Sequence, residues 1–230
     1  MENDRVVLIT GAKGRLGTFV TEAFLAAGDT VVGTSKSIQE SDFSHPRFVA
    51  MASDLTDAAS AVRLVDCVMQ RFRRIDILVH VMGGFSGGKP IAETDDATWD
   101  RMMNLNLRSG FNIFRAVIPR MRTAGQGRIV AIASRVAVEA PANIAAYGAS
   151  KAALVSLVRA AALENKDRSL TVNAILPSTI DTDANRKADP GADFSRWVPP
   201  ANIADLVVFL SSEAAGQITG AAIPIYGKEA

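Results

Sequence analysis

A single cysteine, Cys67, in 230 residues excludes an intramolecular disulfide and any fold that depends on one. Its setting, Leu64-Val65-Asp66-Cys67-Val68-Met69, reads as helix, and the residue is expected to be a small buried hydrophobe. Net charge is nearly absent as well. With 25 basic against 24 acidic side chains the formal charge is +1, so no overall field draws the chain to nucleic acid or to an anionic membrane. A small molecule is the expected partner, and no metal is called for. No apolar run is long enough to span a bilayer without interruption. The N-terminus, Met1-Glu2-Asn3-Asp4-Arg5, lacks the basic and then long apolar profile of a signal peptide, which makes a cytoplasmic location the expectation. Linkers, repeats and low-complexity tracts are also missing, so one domain over residues 1–230 is expected, and 48% hydrophobic residues can fill its core.

What is present is a regular alternation. Residues 5–10 (RVVLIT) form a β-branched apolar run ended by glycine, as in a strand buried on both faces. Phe19, Val20, Ala23, Phe24 and Ala27 then recur at helical spacing until Gly28, and residues 30–33 supply a second strand. The pattern continues with strand 48–51, helix 58–72, strand 75–81, one long helix 99–121, strand 128–133, helix 145–164, strand 170–176, helix 203–210 and strand 221–226. Strands alternating with helices imply a parallel α/β sheet covered on both faces. The least regular stretch, residues 177–200, follows a strand's C-terminal end, where such sheets bind ligands; residues 178–200 read as a short substrate lid.

Thr10-Gly11-Ala12-Lys13-Gly14-Arg15-Leu16-Gly17 joins the first strand to the first helix. A helix N-terminus offers unpaired N–H groups to an anion, and glycines let the backbone approach a pyrophosphate, so Gly11, Lys13, Gly14, Arg15, Leu16 and Gly17 are candidate dinucleotide-binding residues. An acidic residue after the second strand would bind the ribose of NAD. The chain has Gly33-Thr34-Ser35-Lys36-Ser37 there, with no carboxylate. Ser35 and Lys36, with Lys13 or Arg15, suit a 2′-phosphate, so NADP(H) is favoured and NAD(H) stays possible. Asp54, followed by Leu55, is placed to meet the adenine or to cap the next helix, a role Thr56 or Asp57 would also fill.

Tyr147-Gly148-Ala149-Ser150-Lys151 sets a phenol and an ammonium four residues apart on one helix face. A tyrosine titrates near 10 in water and needs a cation to stabilise its phenolate, which Lys151 would supply. Ser134 follows a strand, where its hydroxyl would reach the same space and bind a carbonyl or carbinol oxygen.

The glycine turn, Ser134, Tyr147 and Lys151 occur in the order and spacing of the short-chain dehydrogenases/reductases, which the chain resembles from Val6 to about Gly227. The resemblance implies a three-layer, doubly wound Rossmann fold with a seven-stranded parallel sheet. It also implies hydride transfer between a nicotinamide and a carbonyl or alcohol substrate, in a homotetramer or homodimer. By resemblance Asn106 supports a water relay to Lys151, Lys151 holds the nicotinamide ribose, and Pro177, Ser178 and Thr182 belong to the nicotinamide segment. Ile218-Thr219-Gly220 resembles the turn before the last strand.

The departures are specific. The glycines fall at Gly11, Gly14 and Gly17, with Arg15 in the middle place. The usual Asn-Asn-Ala-Gly is His80-Val81-Met82-Gly83, where Gly83 and Gly84 still allow close approach to the adenosine side and His80 reads as a satisfied histidine behind the sheet. Ser178 replaces a glycine. Residues 83–88 and 184–197 resemble dihydropteridine reductases, whose flat substrate Phe85, Phe194 and Trp197 would stack against. That subgroup lacks the serine and carries an acid for NADH, so a pterin reductase is the alternative enzyme. A non-catalytic dinucleotide sensor is the alternative of another class, and its signature would be a glycine turn without the tyrosine and lysine.

Overall fold

The computed structural model describes residues 5–229; Met1 to Asp4, used above to argue against a signal peptide, lie outside the described residues. Seven parallel strands form one sheet: β1 (Val6–Thr10), β2 (Thr30–Thr34), β3 (Phe48–Ala50), β4 (Ile77–His80), β5 (Gly127–Ile132), β6 (Leu170–Pro177) and β7 (Ala222–Ile225). Their order is β3-β2-β1-β4-β5-β6-β7, so the winding reverses between β1 and β4. A crevice opens at the carboxyl ends of the strands at such a reversal. Thr10 lies there, paired in register with Thr34 on one side and His80 on the other.

The continuous apolar runs of β1 and β4 follow from burial on both faces. Val6 and Leu8 pack with α2 (Ala58–Phe72), α4 (Ser109–Ala124) and α6 (Ala145–Leu163), whereas Val7 and Ile9 pack with α1 (Arg15–Ala26) and α8 (Pro200–Leu210). Among the described residues no helix is long and apolar enough to cross a membrane.

Three expectations are corrected. Cys67 is exposed, not buried. The inward stripe of α2 is Ala61, Leu64, Val65 and Val68, and Cys67 falls beside that stripe on the outer side. The helix expected over residues 99–121 is α3 (Asp96–Met103), a π turn at Asn104–Arg108, and α4, which runs on past Pro119 to a left-handed Gly125. Residues 177–200 are not wholly irregular, since Thr182 caps a short helix α7 (Asp183–Ala188). Its hydroxyl accepts from the Asn185 N–H, as expected of a threonine at a helix start.

Candidate active site

The glycine turn is shaped by contacts that a side chain would destroy. Gly11 has φ +69°, and a Cβ on it would lie 2.9 Å from the Met82 nitrogen; a Cβ on Gly17 would run into the Gly11 carbonyl oxygen. Gly14, the N-cap of α1, contributes no side-chain cap, and the first turn has no acidic residue. The first N–H groups and dipole of α1 are therefore free to meet an anion. Beyond them, at the end of β2, Thr34 Oγ1 and Ser35 Oγ are buried without a hydrogen-bond partner. Buried hydroxyls are normally bonded. A nucleotide's ribose or phosphate oxygens at this edge would satisfy both, so the residues present fit a dinucleotide.

The cations nominated beside that edge divide. Lys13 donates to the Ser37 carbonyl at 2.6 Å and lies 3.2 Å from Asp42, pinning the loop after β2. Lys36 pairs with Asp54 at 2.8 Å. Arg15 is exposed and forms no hydrogen bond or ion pair among the described residues. Asp54 also accepts from the Thr56 N–H and hydroxyl, and Lys36 with Thr56 holds its carboxyl below the usual range. Helix α2 is capped by Asp57, through the Ala59 and Ser60 N–H groups. Leu55 is buried, with its carbonyl bound by Asn112, and brings no side chain to the edge.

Beyond β5 and β6, a cavity of about 370 Å³ is lined by Ser134, Tyr147, Phe85, Arg135, Pro177 and Ser178, among others. Ser134 stands two residues past β5 and Tyr147 in the first turn of α6, so strand end and helix start deliver both hydroxyls to one space. Burial raises the Tyr147 phenol above its ordinary 10.0, with the neighbouring Ser134 hydroxyl acting the other way. Lys151, one turn on, is buried and donates to the Ile132 carbonyl at 2.8 Å. Burial pushes it down from 10.5 to about 8. The expected lowering of the tyrosine by this lysine is therefore not seen: Nζ lies 6.0 Å from the phenol ring centre and is turned to the strand. Thr182, grouped with the nicotinamide segment by resemblance, does not line the cavity and serves α7.

Asn106 sits fully buried in the π turn. Its Oδ1 accepts from the Gly84 N–H at 2.8 Å, and its Nδ2 donates to the Gly84 carbonyl at 3.0 Å and to Ser150 Oγ at 2.9 Å. Ser150 in turn donates to the Tyr147 carbonyl. The side chain is thus committed to the protein, and a relay water would have to use the main-chain carbonyl. Gly83 and Gly84 have no room for a side chain in this packing: a Cβ on Gly83 would meet Asn106 Oδ1 at 2.7 Å and Lys151 Nζ at 3.1 Å, and one on Gly84 would meet Leu105 at 3.1 Å. Sequence reading missed Ser150, whose signal was a small hydroxyl between Tyr147 and Lys151. It also missed Arg135, next to Ser134.

His80 is a satisfied histidine, as expected. Nδ1 is 2.9 Å from Thr10 Oγ1 and Nε2 3.5 Å from Ser109 Oγ. Ser109 donates to the Leu105 carbonyl, which leaves it accepting from Nε2–H, while Thr10 accepts from the Met82 N–H and donates to Nδ1. The ring therefore ties the glycine turn to the start of α4. Thr219 Oγ1 accepts from the Val172 N–H and Gly220 has φ +73°, which makes residues 218–220 the turn before β7.

Fold and site together define a dinucleotide-dependent oxidoreductase, and comparison with known proteins gives the class its name. The short chain dehydrogenase family model matches residues 5–193, and the chain belongs to that family, whose members are NAD(P)-dependent oxidoreductases. It is 31% identical to the 3-oxoacyl-[acyl-carrier-protein] reductase FabG of Salmonella typhimurium over 235 residues, 97% of this chain and 96% of the relative. It is 28% identical to the short-chain dehydrogenase/reductase cdmF of Talaromyces verruculosus, over 96% of this chain and 95% of the relative. Levodione reductase superposes with a TM-score of 0.92 at 27% identity, covering 99% of this chain and 98% of that one.

Proposed function

We propose that the protein is an NADP(H)-dependent carbonyl reductase or alcohol dehydrogenase in which Tyr147 is the proton donor or acceptor, Ser134 orients the substrate oxygen and Lys151 stabilises the phenolate. The observation that carries this reading is the convergence of the Ser134 and Tyr147 hydroxyls on one cavity with a buried ammonium a helical turn below. When bound, the dinucleotide supplies or accepts the hydride. In reduction Tyr147 passes its proton to the carbonyl oxygen while Ser134 donates a hydrogen bond to it. The phenolate left behind is stabilised by Lys151, which needs only to swing from the Ile132 carbonyl to approach it. Asn106 holds the Gly83-Gly84 segment beside Lys151 so that this movement has a fixed frame.

The preference for NADP(H) over NAD(H) rests on the missing carboxylate after β2, on the unpartnered Ser35 hydroxyl and on the cations Lys36 and Arg15. The Lys36–Asp54 pair does not oppose it. Its two side chains are 62% and 38% exposed, and an exposed pair is worth only about 0–1 kcal/mol, which a phosphate can replace. The similar proteins bearing reductase names support a small carbonyl substrate. A pterin is less well served, because Phe194 and Trp197 pack against each other in a tilted pair with centroids 4.8 Å apart and do not line the cavity, leaving Phe85 alone. A sensor would not need Tyr147 and Lys151, both in place here. We read the molecule as a single domain that assembles as a dimer or tetramer, with the exposed Trp99 and Phe111 of α3 and α4 in favour of helix-mediated assembly. A soluble, cytoplasmic setting remains the expectation.

The test is titration with NADPH and NADH followed by turnover on small ketones, aldehydes and quinonoid dihydropterin. NADPH is expected to bind more tightly, and Tyr147→Phe to lower turnover by about 10²–10⁴ with cofactor affinity retained. Turnover that survives Tyr147→Phe would sink the assignment.

A further inference from the structure

The chain between β7 and its last described residue is stitched into the wall of the substrate cavity. The Arg135 guanidinium donates to the Glu229 carbonyl at 2.8 Å, and the Ser178 hydroxyl donates to the Tyr226 carbonyl at 2.9 Å. On the lid side, Lys228 N–H donates to the Arg196 carbonyl, and Arg196 returns a bond to the Lys228 carbonyl. These bonds leave the Glu229 side chain between two spaces. It lines the 370 Å³ cavity that holds Ser134 and Tyr147, and also a second pocket of about 310 Å³ under the lid; Thr179 and Asn185 are the other residues common to both.

The charge there is unbalanced. Glu229 Oε2 accepts from the Thr179 N–H at 3.1 Å, and no cation lies within 4.0 Å of the carboxylate among the described residues. Arg135, which lines the same cavity, turns its guanidinium to the Glu229 main-chain carbonyl, to Glu139 at 2.9 Å and over the Tyr226 ring, with no ion pair to the Glu229 carboxylate. The lid pocket adds carboxylates from Asp189 and Asp193, against the guanidinium of Arg196.

We propose that Glu229 is a specificity-determining residue: its carboxylate forms the far wall of the substrate cavity and selects carbonyl compounds whose distal end is cationic or hydrogen-bond-donating over those whose distal end is anionic. This rests on the reading of the cavity as the substrate site. A carboxylate with only one backbone partner keeps lone pairs for a ligand donor, and repels a second anion brought into the same small space.

The experiment uses three aryl ketones of one shape: acetophenone, 4-acetylbenzoate and the 4-acetyl-trimethylanilinium cation. Their affinity for the full-length protein loaded with NADP⁺ is measured by ligand-observed NMR, which does not depend on turnover. The wild type should bind the cation about tenfold or more tighter than the carboxylate, a modest figure for charges in a partly shielded cavity. Glu229→Gln, which can still accept from Thr179, should bring the two within about threefold and leave acetophenone unchanged; Glu229→Asp should restore part of the preference. An unchanged ratio in Glu229→Gln, a wild-type preference for the carboxylate, or no ketone bound by either protein overturns the proposal. Selective binding with no NADPH oxidation would instead overturn the reductase reading and leave the role of Glu229 standing.

Discussion

At Tyr147 the local environment works against the chemistry asked of it, because burial keeps the phenol protonated beyond its ordinary range. That suits a proton donor and makes the phenolate dependent on Lys151. The lysine itself is vulnerable, since burial brings it down to about 8. Below that value the ammonium is present and can stabilise the phenolate formed as the proton leaves; above it the charge is lost. For carbonyl reduction kcat/KM is therefore expected to be level from pH 6 to about 7.5 and to fall with an apparent midpoint near 8. Lys151→Arg, whose guanidinium stays charged, should lose activity overall and also lose that descending limb. A wild-type profile that stays level to pH 9.5 would show that the charge of Lys151 is not what supports Tyr147. Ser134 and Tyr147 were both legible as residue types at a spacing. The orientation of Lys151 toward Ile132 was not, because a carbonyl competing for an ammonium leaves no trace in side-chain pattern.

Among elements, those read most surely were the central strands, where burial on both faces forces continuous β-branched runs, and the first glycine turn, where a strand, glycines and a helix follow in order. The π turn was invisible. It widens the helix by a fraction of a turn, so the apolar spacing over residues 99–121 still looks like one helix, although the shift delivers Asn106 to Gly84 and Ser150. Cys67 misled for a related reason: at the edge of a helix stripe, composition cannot say which side of the boundary a residue takes. The glycine turn yields the sharpest prediction at this scale. Gly17→Ala would place a methyl group against the Gly11 and Ala12 backbone, which cannot yield without moving the first turn of α1. We expect a loss of roughly 1–3 kcal/mol in stability by urea unfolding, as for overpacking of a tight site. Dinucleotide affinity should fall further than that of Gly28→Ala, which sits where a Cβ meets nothing within 4 Å but must adopt φ +83°. If Gly17→Ala bound cofactor as wild type does, the turn would not be the phosphate site.

For the whole molecule, the residue to watch is His80, at the reversal point of the sheet and bonded to both the glycine turn and α4. Burial, with Lys151 nearby, lowers it from 6.5 to about 3. The folded protein thus keeps the ring neutral at pH values where an unfolded chain protonates it. Between about 6.5 and 3 the unfolded state binds the extra proton, so stability is full above pH 6.5 and declines as pH falls, by about 1.4 kcal/mol per unit for this one group. The lowered aspartates Asp42, Asp54, Asp57, Asp95, Asp181 and Asp193 act in the same direction, but only from their ordinary 3.8 downward, and as largely solvent-facing groups they contribute little. The two ranges separate the causes. Urea unfolding at fixed protein concentration should show a loss of roughly 2 kcal/mol from pH 6.5 to pH 5, before those carboxylates titrate. His80→Asn, which can still accept from Thr10 and donate toward Ser109, should be close to pH-independent over that range. A variant that keeps the wild-type slope would place the acid-sensitive group elsewhere and leave His80 as a spacer between the two halves of the site.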